Sequence, residues 1–291
     1  MKKMKVALLS LMIAGSVSVS MSGISSSQVH AAPTLDTSFT IEKNVGQEKI
    51  RVYVEANNKT TKSNLTSQFS VRWNLSENGF STEMTEKQFE ALQKNKNITV
   101  TKVPIVTLDT IGLEDTSKVE FNITARATNQ LPWGIKAIYN SNNPVPSGGQ
   151  GINIAVLDTG VNINHLDLVN RVEQCKNFTG ATTVINNSCA DGNGHGTHVA
   201  GTALADGGSD KGGVYGVAPQ ADLWAYKVLS NSGSGYSDDI AAAIRHAADQ
   251  ATATRTKTII NMSLGSASNN SLISSAVNYA YSKGVLVVAA A

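Results

Sequence analysis

The second half of the chain alternates apolar, strand-like runs with helix-like segments, and this alternation constrains the fold more than any other feature. Apolar runs at 152–157, 223–229, 258–263 and 285–291 predict buried strands. Between them, residues 197–204, 237–247 and 272–280 carry apolar side chains at helical spacing. Ser237 is predicted to cap the second of these helices, and Asp238 and Asp239 in its first turn favour the helix dipole. Strands buried on both faces are typical of parallel sheets covered by helices. The sequence therefore predicts an α/β domain, a parallel twisted sheet with helices on both faces.

A smaller α+β domain is predicted ahead of this sheet, in residues 32–127. Residues 50–54 and 71–75 alternate apolar and polar side chains as half-buried strands do, and 100–108 and 119–123 are predicted as further strands. The run from Thr85 to Gln88 has the form of a capping box that opens a helix. Prolines and glycines between 132 and 149 are typical of an exposed boundary, so the second domain is assigned to residues 128–291.

The first 31 residues have the pattern of a secretory signal peptide. Lys2, Lys3 and Lys5 precede a short apolar run at 6–14, and small residues follow to Ala31. This run is too short for a membrane span, which needs about 20 apolar residues. A net charge of +2 offers no basic field for nucleic acid. We expect a secreted protein that binds neither a membrane nor nucleic acid.

Two polar side chains stand where such a fold places its sites. Asp158 directly follows the strand at 152–157, and parallel sheets carry sites at the carboxyl ends of their strands. His195 lies in the glycine-rich turn at 191–202, where other groups can approach closely. Asp158 could orient His195 or simply make a turn. A metal site on His195, His198 and Asp158 lacks a third neutral ligand and a Glu-containing motif. A nucleotide site on these glycines lacks the required strand-turn spacing and an acidic ribose partner.

Several separate blocks resemble the subtilisin-like serine proteases (subtilases, peptidase family S8), in the family's order. They are 154–160, 195–202, 216–219, 227–229, 232–236 and 261–265, within a resemblance that covers about 130–291. The resemblance implies a secreted serine endopeptidase precursor that hydrolyses protein or peptide substrates with an Asp-His-Ser triad. By position, Asp158 would orient the histidine and His195 would be the general base. His198 would be the second, non-catalytic histidine of the signature.

The resemblance also implies two segments that flank an extended substrate strand. The implied substrate-binding residues are Gly233, Ser234, Gly235, Ser263, Leu264 and Gly265. Ala290 resembles the small-residue wall of the primary specificity pocket, although core packing alone would explain it.

The family's oxyanion Gly-Asn pair and its nucleophile block have no counterpart in these 291 residues. We therefore expect a catalytic domain of which only the N-terminal part is present, truncated at its C-terminus. The 291-residue chain by itself is expected not to hydrolyse peptides.

Asp167 matches a carboxylate that the family often uses as a calcium ligand. The loop at 206–213 offers Asp206, Ser209 and Asp210, but it is longer than the family's usual loop. A structural calcium ion and a plain charged surface loop both fit this pattern, and the chemistry itself requires no cofactor.

Two cysteines, Cys175 and Cys189, stand fourteen positions apart. In the oxidising environment that follows export, they favour a disulfide over two free thiols.

Residues 32–127 resemble the family's propeptide in position, size and mixed α/β pattern. This implies an intramolecular chaperone and inhibitor, cut near 121–130, that binds the protease part of a monomer. Two other functions stay open. A non-catalytic secreted binding protein could keep the fold, and the Asp158-Thr159-Gly160 run also resembles aspartic proteases, which need a second such carboxylate and an all-β fold.

Overall fold

The structure, a computed structural model, describes residues 48–108 and 131–290, except 143, 145, 181, 210, 211, 267 and 268. The predicted signal peptide, the strand at 119–123, the cut near 121–130 and Asp210 lie outside these residues. Residues 44–291 belong to one compact unit.

Residues 48–108 contain a four-stranded antiparallel sheet with the order β2-β3-β1-β4. Its elements are β1 (Lys49–Ala56), α1 (Lys59–Thr66), β2 (Val71–Asn74), β3 (Gly79–Thr85), α2 (Glu86–Gln93) and β4 (Ile98–Lys102). Val54, Phe80, Met84 and Phe89 lie in its own buried core. The predicted capping box is present, since Thr85 Oγ1 accepts from the Gln88 N–H and Gln88 Oε1 accepts from the Thr85 N–H.

The single strand predicted at 100–108 is in fact two strands in different sheets. β4 ends at Lys102, and β5 (Ile105–Thr107) pairs with a segment of the second domain. Pro104 separates them, because proline has no N–H for a sheet ladder and fixes its own φ. The chain therefore leaves the first sheet at Val103 and crosses to the second domain.

The second domain is built on a six-stranded sheet with the order β12-β11-β6-β9-β7-β8. Its elements are α3 (Trp133–Ile138), β6 (Ile152–Asp158), β7 (Val172–Asn177), β8 (Ile185–Asn186), α4 (His195–Leu204), β9 (Asp222–Lys227), β10 (Ser234–Tyr236), α5 (Ser237–Thr254), β11 (Lys257–Met262), α6 (Ser271–Ser282) and β12 (Leu286–Ala289). Neighbouring strands are parallel except β7 and β8. The predicted α/β fold is confirmed, with a short antiparallel strand at one edge.

Helices cover both faces of this sheet. Ile154 and Val156 of β6 pack in one cluster with Ala200 and Leu204 of α4. The alternate β6 residues Ala155 and Leu157 belong to a second cluster, together with α5 and α6. This two-sided burial explains why β6 is an almost continuous apolar run.

Two local predictions were wrong. The run at 285–291 was predicted as a buried strand, but Leu286 is 58% exposed and Val288 is 48% exposed. β12 lies at the sheet edge, where β11 is its only strand partner among the described residues. Ser237 was predicted as a helix cap, but Tyr236 holds that position. Ser237 is the first helical residue, and its hydroxyl donates to Pro104 O at 2.7 Å.

Candidate active site

Asp158 and His195 meet at the carboxyl edge of the sheet. Asp158 is the last residue of β6, and His195 is the first residue of α4. His195 Nδ1 lies 2.8 Å from Asp158 Oδ1. The aspartate side chain is 1% exposed and the histidine side chain is 26% exposed. The pair therefore consists of a buried carboxylate that holds one ring nitrogen of a solvent-accessible imidazole.

Glycines make this approach sterically feasible. A Cβ on Gly196 would lie 2.1 Å from the carbonyl oxygen of Gly160 and 3.0 Å from Asp158 Cβ. Gly194, the residue before His195, has φ of 100°, in the left-handed region that favours glycine. The glycines of the turn therefore let the start of α4 lie directly against the end of β6.

The environment of Asp158 acts on its ionisation in opposite directions. Burial raises the pKa of Asp158, while hydrogen bonds from His195 and from the Thr159 N–H lower it. The Thr159 N–H donates to Asp158 Oδ1 at 2.7 Å. Asp158 Oδ2 is buried without a hydrogen-bonding partner among the described residues. The ionised carboxylate therefore depends strongly on the imidazole beside it.

Asp191 fixes the start of α4, and the sequence reasoning missed this role. Its carboxylate accepts from the Gly194 N–H at 2.8 Å, the Thr197 N–H at 2.9 Å and the Thr159 hydroxyl at 2.9 Å. Burial alone would raise the pKa of Asp191, but hydrogen bonds from Thr197, Gly194 and Asn193 bring it below its usual value. An aspartate just ahead of a helix is a common capping signal, and it could have pointed to this residue.

His198 is exposed one turn along α4, with its backbone N–H bonded to Gly194 O. No group of three histidine, cysteine or acidic residues that could hold a metal occurs in the part of the chain that the structure describes. The arrangement gives no support to a metal site on His195 and His198.

The two segments predicted to flank a substrate enclose a strand of the chain itself. β10 pairs antiparallel with β5, so that Ser234 lies opposite Thr107 and Gly235 opposite Val106. On the other side, the Gly265 N–H donates to Thr107 O at 3.3 Å. We call the space between 233–236 and 263–265 the groove. β5 occupies it as an extended peptide would.

The strand in the groove runs toward the Asp158–His195 pair. The N–H of Leu108, which follows β5, donates to Gly233 O at 2.8 Å. Beyond Gly233, Asn231 O accepts from the side chain of Asn193 at 3.0 Å, and Asn193 precedes His195 by two residues. Because β5 and β10 are antiparallel, Leu108 lies at the histidine end of the groove.

The other predicted substrate-binding residues differ in their surroundings. Leu264 is buried and belongs to the same apolar cluster as Val106. Ser263 accepts a hydrogen bond from Asn261 at 3.1 Å. Ala290 is exposed at the end of β12, with its N–H donating to Met262 O at 3.1 Å.

The model of the subtilase family matches residues 149–291, which contain Asp158, His195 and both walls of the groove. Residues 149–291 belong to the subtilase family. The curated protein "Subtilisin" of Bacillus sp. (strain TA39) is 61% identical over 248 residues, which are 84% of this chain and 58% of that protein. Thermitase of Thermoactinomyces vulgaris is 44% identical over 143 residues, 49% of this chain and 48% of that protein. The chain thus spans about half to three fifths of the length of these subtilases.

Solved structures agree with this fold. The structure of sphericase is 81% identical with a TM-score of 0.56, over 56% of this chain and 53% of its own. A structure titled epidermin leader peptide processing serine protease, from Staphylococcus aureus, is 24% identical with a TM-score of 0.60, over 84% of this chain and 60% of its own. The second likeness shows the fold alone, and it extends N-terminal to the second domain.

Two of the candidate calcium ligands are bound by protein groups in the structure. Asp167 Oδ2 accepts from the Val214 N–H at 3.0 Å, and Gly213 packs directly against this carboxylate. Asp206 is bound by the Gly208 N–H and paired with Arg171 at 3.3 Å. The candidate ligand Asp210 lies outside the described residues, and calcium binding at this loop stays a prediction.

The structure joins Cys175 and Cys189 in a disulfide with a Cα–Cα distance of 5.2 Å. Cys175 lies on β7, and Cys189 O accepts from the Val161 N–H at 2.8 Å. A Cβ on Gly160 would lie 2.4 Å from the same carbonyl oxygen. The disulfide therefore ties the segment ahead of Asp191 to the sheet and to the turn that follows Asp158.

An ionic cluster joins the first domain to the start of α5. The sequence predicted that Asp238 and Asp239 would favour the helix dipole; in the structure both are buried and pair with arginines of the first sheet. Arg51 lies 3.2 Å from Asp238 and 2.8 Å from Asp239, and Arg72 lies 3.3 Å from Asp239. Trp73 Nε1 donates to Asp239 at 2.7 Å. Sequence spacing alone could not reveal these partners, which are more than 160 positions apart in the chain.

Proposed function

We propose that this chain belongs to the precursor of a secreted serine endopeptidase. The observation that carries the proposal is the 2.8 Å contact between His195 Nδ1 and Asp158 Oδ1, at the end of the groove. The subtilase family is one of serine proteases, and the proposal assigns its chemistry to these two residues.

In the proposed reaction, His195 takes the proton of a serine hydroxyl through Nε2 while that oxygen attacks the scissile carbonyl carbon. Asp158 accepts from Nδ1–H, selects the productive tautomer and stabilises the imidazolium that forms. His195 then returns the proton to the leaving amine. No serine among the described residues hydrogen-bonds to the imidazole, so the nucleophile is assigned to a residue outside them. The proposed steps use side chains only and require no cofactor.

The substrate is a protein or peptide in extended form. β5 supports this, because its backbone bonds to Gly233 and Gly265 as a substrate backbone would. Bonds to main-chain groups select an extended conformation and leave side-chain preference to the groove walls.

Residues 32–127 act, in this proposal, as an intramolecular chaperone and inhibitor. Two contacts support this role. β5 fills the groove, and the ionic cluster holds the first sheet near the start of α5. An inhibitor that occupies the groove must be cut from the protease part, and the proposed cut lies near residues 121–130. The active form is proposed to be a monomer.

Export is proposed from the basic and apolar pattern of residues 1–31. In the part of the chain that the structure describes, no helix has the length and apolar character to cross a bilayer. Detection of the processed protein in culture medium would support export, and its retention in the cell pellet would contradict it.

The alternative of an aspartic protease is not supported. Asp158 faces a histidine rather than a second carboxylate, and the fold is α/β.

The test is peptide hydrolysis by the protein expressed from its complete reading frame. Replacement of the corresponding histidine and aspartate in a subtilisin lowers kcat by about 10⁶-fold and 10⁴-fold. We expect losses of similar order for His195→Ala and Asp158→Asn, and near-normal activity for the matched control His198→Ala. Equal activity of wild type and His195→Ala would rule the proposal out.

A further inference from the structure

Lys227 is a buried lysine beside the Asp158–His195 pair. It is the last residue of β9 and lies in register with Asp158, the last residue of β6. It is only 8% exposed. A buried ammonium group is unfavourable unless its donors are satisfied. Lys227 Nζ donates to the carbonyl oxygen of Thr159 and, at 2.9 Å, to Asn231 Oδ1.

These two acceptors connect Lys227 to the pair from two sides. The Thr159 N–H donates to Asp158 Oδ1, and the Thr159 hydroxyl accepts from the Gly196 N–H at 3.0 Å. Thr159 therefore lies between the carboxylate and the first turn of α4. Asn231 belongs to the loop that leads into the groove, and its carbonyl oxygen accepts from Asn193. A single ammonium group thus links the loops after β6 and β9 to the turn before α4.

The charge of Lys227 also faces the site. Burial lowers the pKa of Lys227, while the negative charges of Asp191 and Asp158 raise it. Among the described residues, no carboxylate forms an ion pair with Nζ, whose partners are both uncharged oxygens. The positive charge acts on Asp158 and Asp191 at longer range.

We propose that Lys227 is a positioning residue for the Asp158–His195 pair, fixing the Thr159 peptide group against Asp158 and favouring the ionised carboxylate. This inference rests on the proposed protease function. Lys227 contacts neither β5 nor the imidazole of His195, and it acts on the pair through Thr159.

The first test compares Lys227→Met with wild type in the protein expressed from its complete reading frame. Methionine keeps the length of the side chain but removes the charge and the donors. We expect kcat to fall by roughly 10- to 100-fold, with KM changed less than about twofold, because orientation is lost rather than binding. Lys257→Met, at the exposed start of β11, is the matched control and should keep wild-type kinetics.

A pH profile separates positioning from a general loss of structure. Loss of a nearby positive charge stabilises the imidazolium of His195, so the acid limb of kcat/KM should move to higher pH by roughly half to one unit. Lys227→Arg, which keeps the charge, should return the limb to its wild-type position. A wild-type kcat and pH profile for Lys227→Met would overturn the proposal, as would a defect confined to KM.

A second measurement does not depend on activity. The pKa of His195 is followed by NMR in the 291-residue chain, for wild type and for Lys227→Met. An upward shift supports the role of Lys227, and an unchanged titration refutes it. If wild type hydrolyses no peptide, the proposed function fails, while this titration still decides the contribution of Lys227. If Lys227→Met does not fold, Lys227→Gln takes its place with the same expected shifts.

Discussion

Replacement of Asp239 by asparagine tests how firmly the first sheet is held against the subtilase domain. The Asp239 side chain is 2% exposed and lies within 3.3 Å of both Arg51 and Arg72. Asparagine has nearly the same shape and can still accept from Trp73, so the substitution removes charge rather than volume. Removal of one partner of a buried ion pair typically destabilises the folded protein by about 3–5 kcal/mol, because the other charge stays buried without its partner.

Asp238 remains beside both arginines in this variant, at 3.2 Å from Arg51 and 3.6 Å from Arg72. It compensates part of the lost charge, so we expect a decrease of about 3 kcal/mol in the free energy of unfolding, at the lower end of that range. Arg51→Met should lose a similar amount. The double variant should lose less than the sum by about 1–3 kcal/mol, because the two residues form one network.

The assay is urea unfolding of the 291-residue chain, combined with hydrogen exchange of the Leu108 amide in the groove. Protection of that amide should fall in Asp239→Asn, because β5 is held in the groove together with the first sheet. The matched control is Asp249→Asn on the exposed side of α5, where Tyr279 donates to the carboxylate at 2.5 Å. It should lose less than about 1 kcal/mol. If Asp239→Asn and Asp249→Asn lower the free energy of unfolding equally, the ionic cluster does not hold the first sheet in place.

Three further outcomes are expected. The half-buried ring of His246 packs between the rings of Phe178 and Tyr226, and desolvation lowers its pKa to about 4. The unfolded chain therefore binds more protons between about pH 6.5 and 4, and stability should fall by roughly 2 kcal/mol as the pH drops through that range, allowing for solvent screening. His246→Phe should flatten this slope in urea titrations, and an unchanged slope would contradict the assignment. Gly196→Ala places a Cβ 2.1 Å from a backbone carbonyl oxygen, whereas Gly201→Ala on the same helix meets nothing within 4 Å. We expect the first to lower kcat/KM by about 100-fold and the second to leave it nearly unchanged, and equal kinetics would count against the close packing. Cys175→Ser with Cys189→Ser should lower stability by up to about 3 kcal/mol, seen as a lower Tm that reductant no longer changes; an unaltered Tm would show that the bond adds no stability.

The sequence predicted the features that depend on local pattern. β6 is recognisable because burial on both faces demands an apolar run, and Asp158 stands out as the polar residue that ends it. α2 was predicted from its capping box, which is satisfied by residues three positions apart. His195 stood out because it lies in a glycine-rich turn. The structure shows why glycine is needed there, since Gly196 packs directly against the backbone of Gly160.

Features that depend on distant partners were not predictable in this way. Lys227 is an ordinary charged residue in the sequence, and its importance comes from loops that only the folded sheet brings together. Pro104 was a local signal for the break after β4 that the prediction of one strand overlooked, but the pairing of β5 with β10 depends on residues more than 120 positions away. α1 was missed because its polar sequence has only one buried residue, Leu65, and no apolar period.

Because β5 occupies the groove, a free peptide can bind there only by displacing β5. β5 is attached to the same chain as Gly233 and Gly265, so its binding is intramolecular, and segments joined in one chain reach effective concentrations on the order of millimolar. A peptide in solution must exceed that local concentration or bind much more tightly. In the proposed precursor, one cut near 121–130 would leave every contact in the groove unchanged, yet it would make occupancy depend on dilution. The same segment would then release the groove in a dilute medium and refill it in a concentrated one.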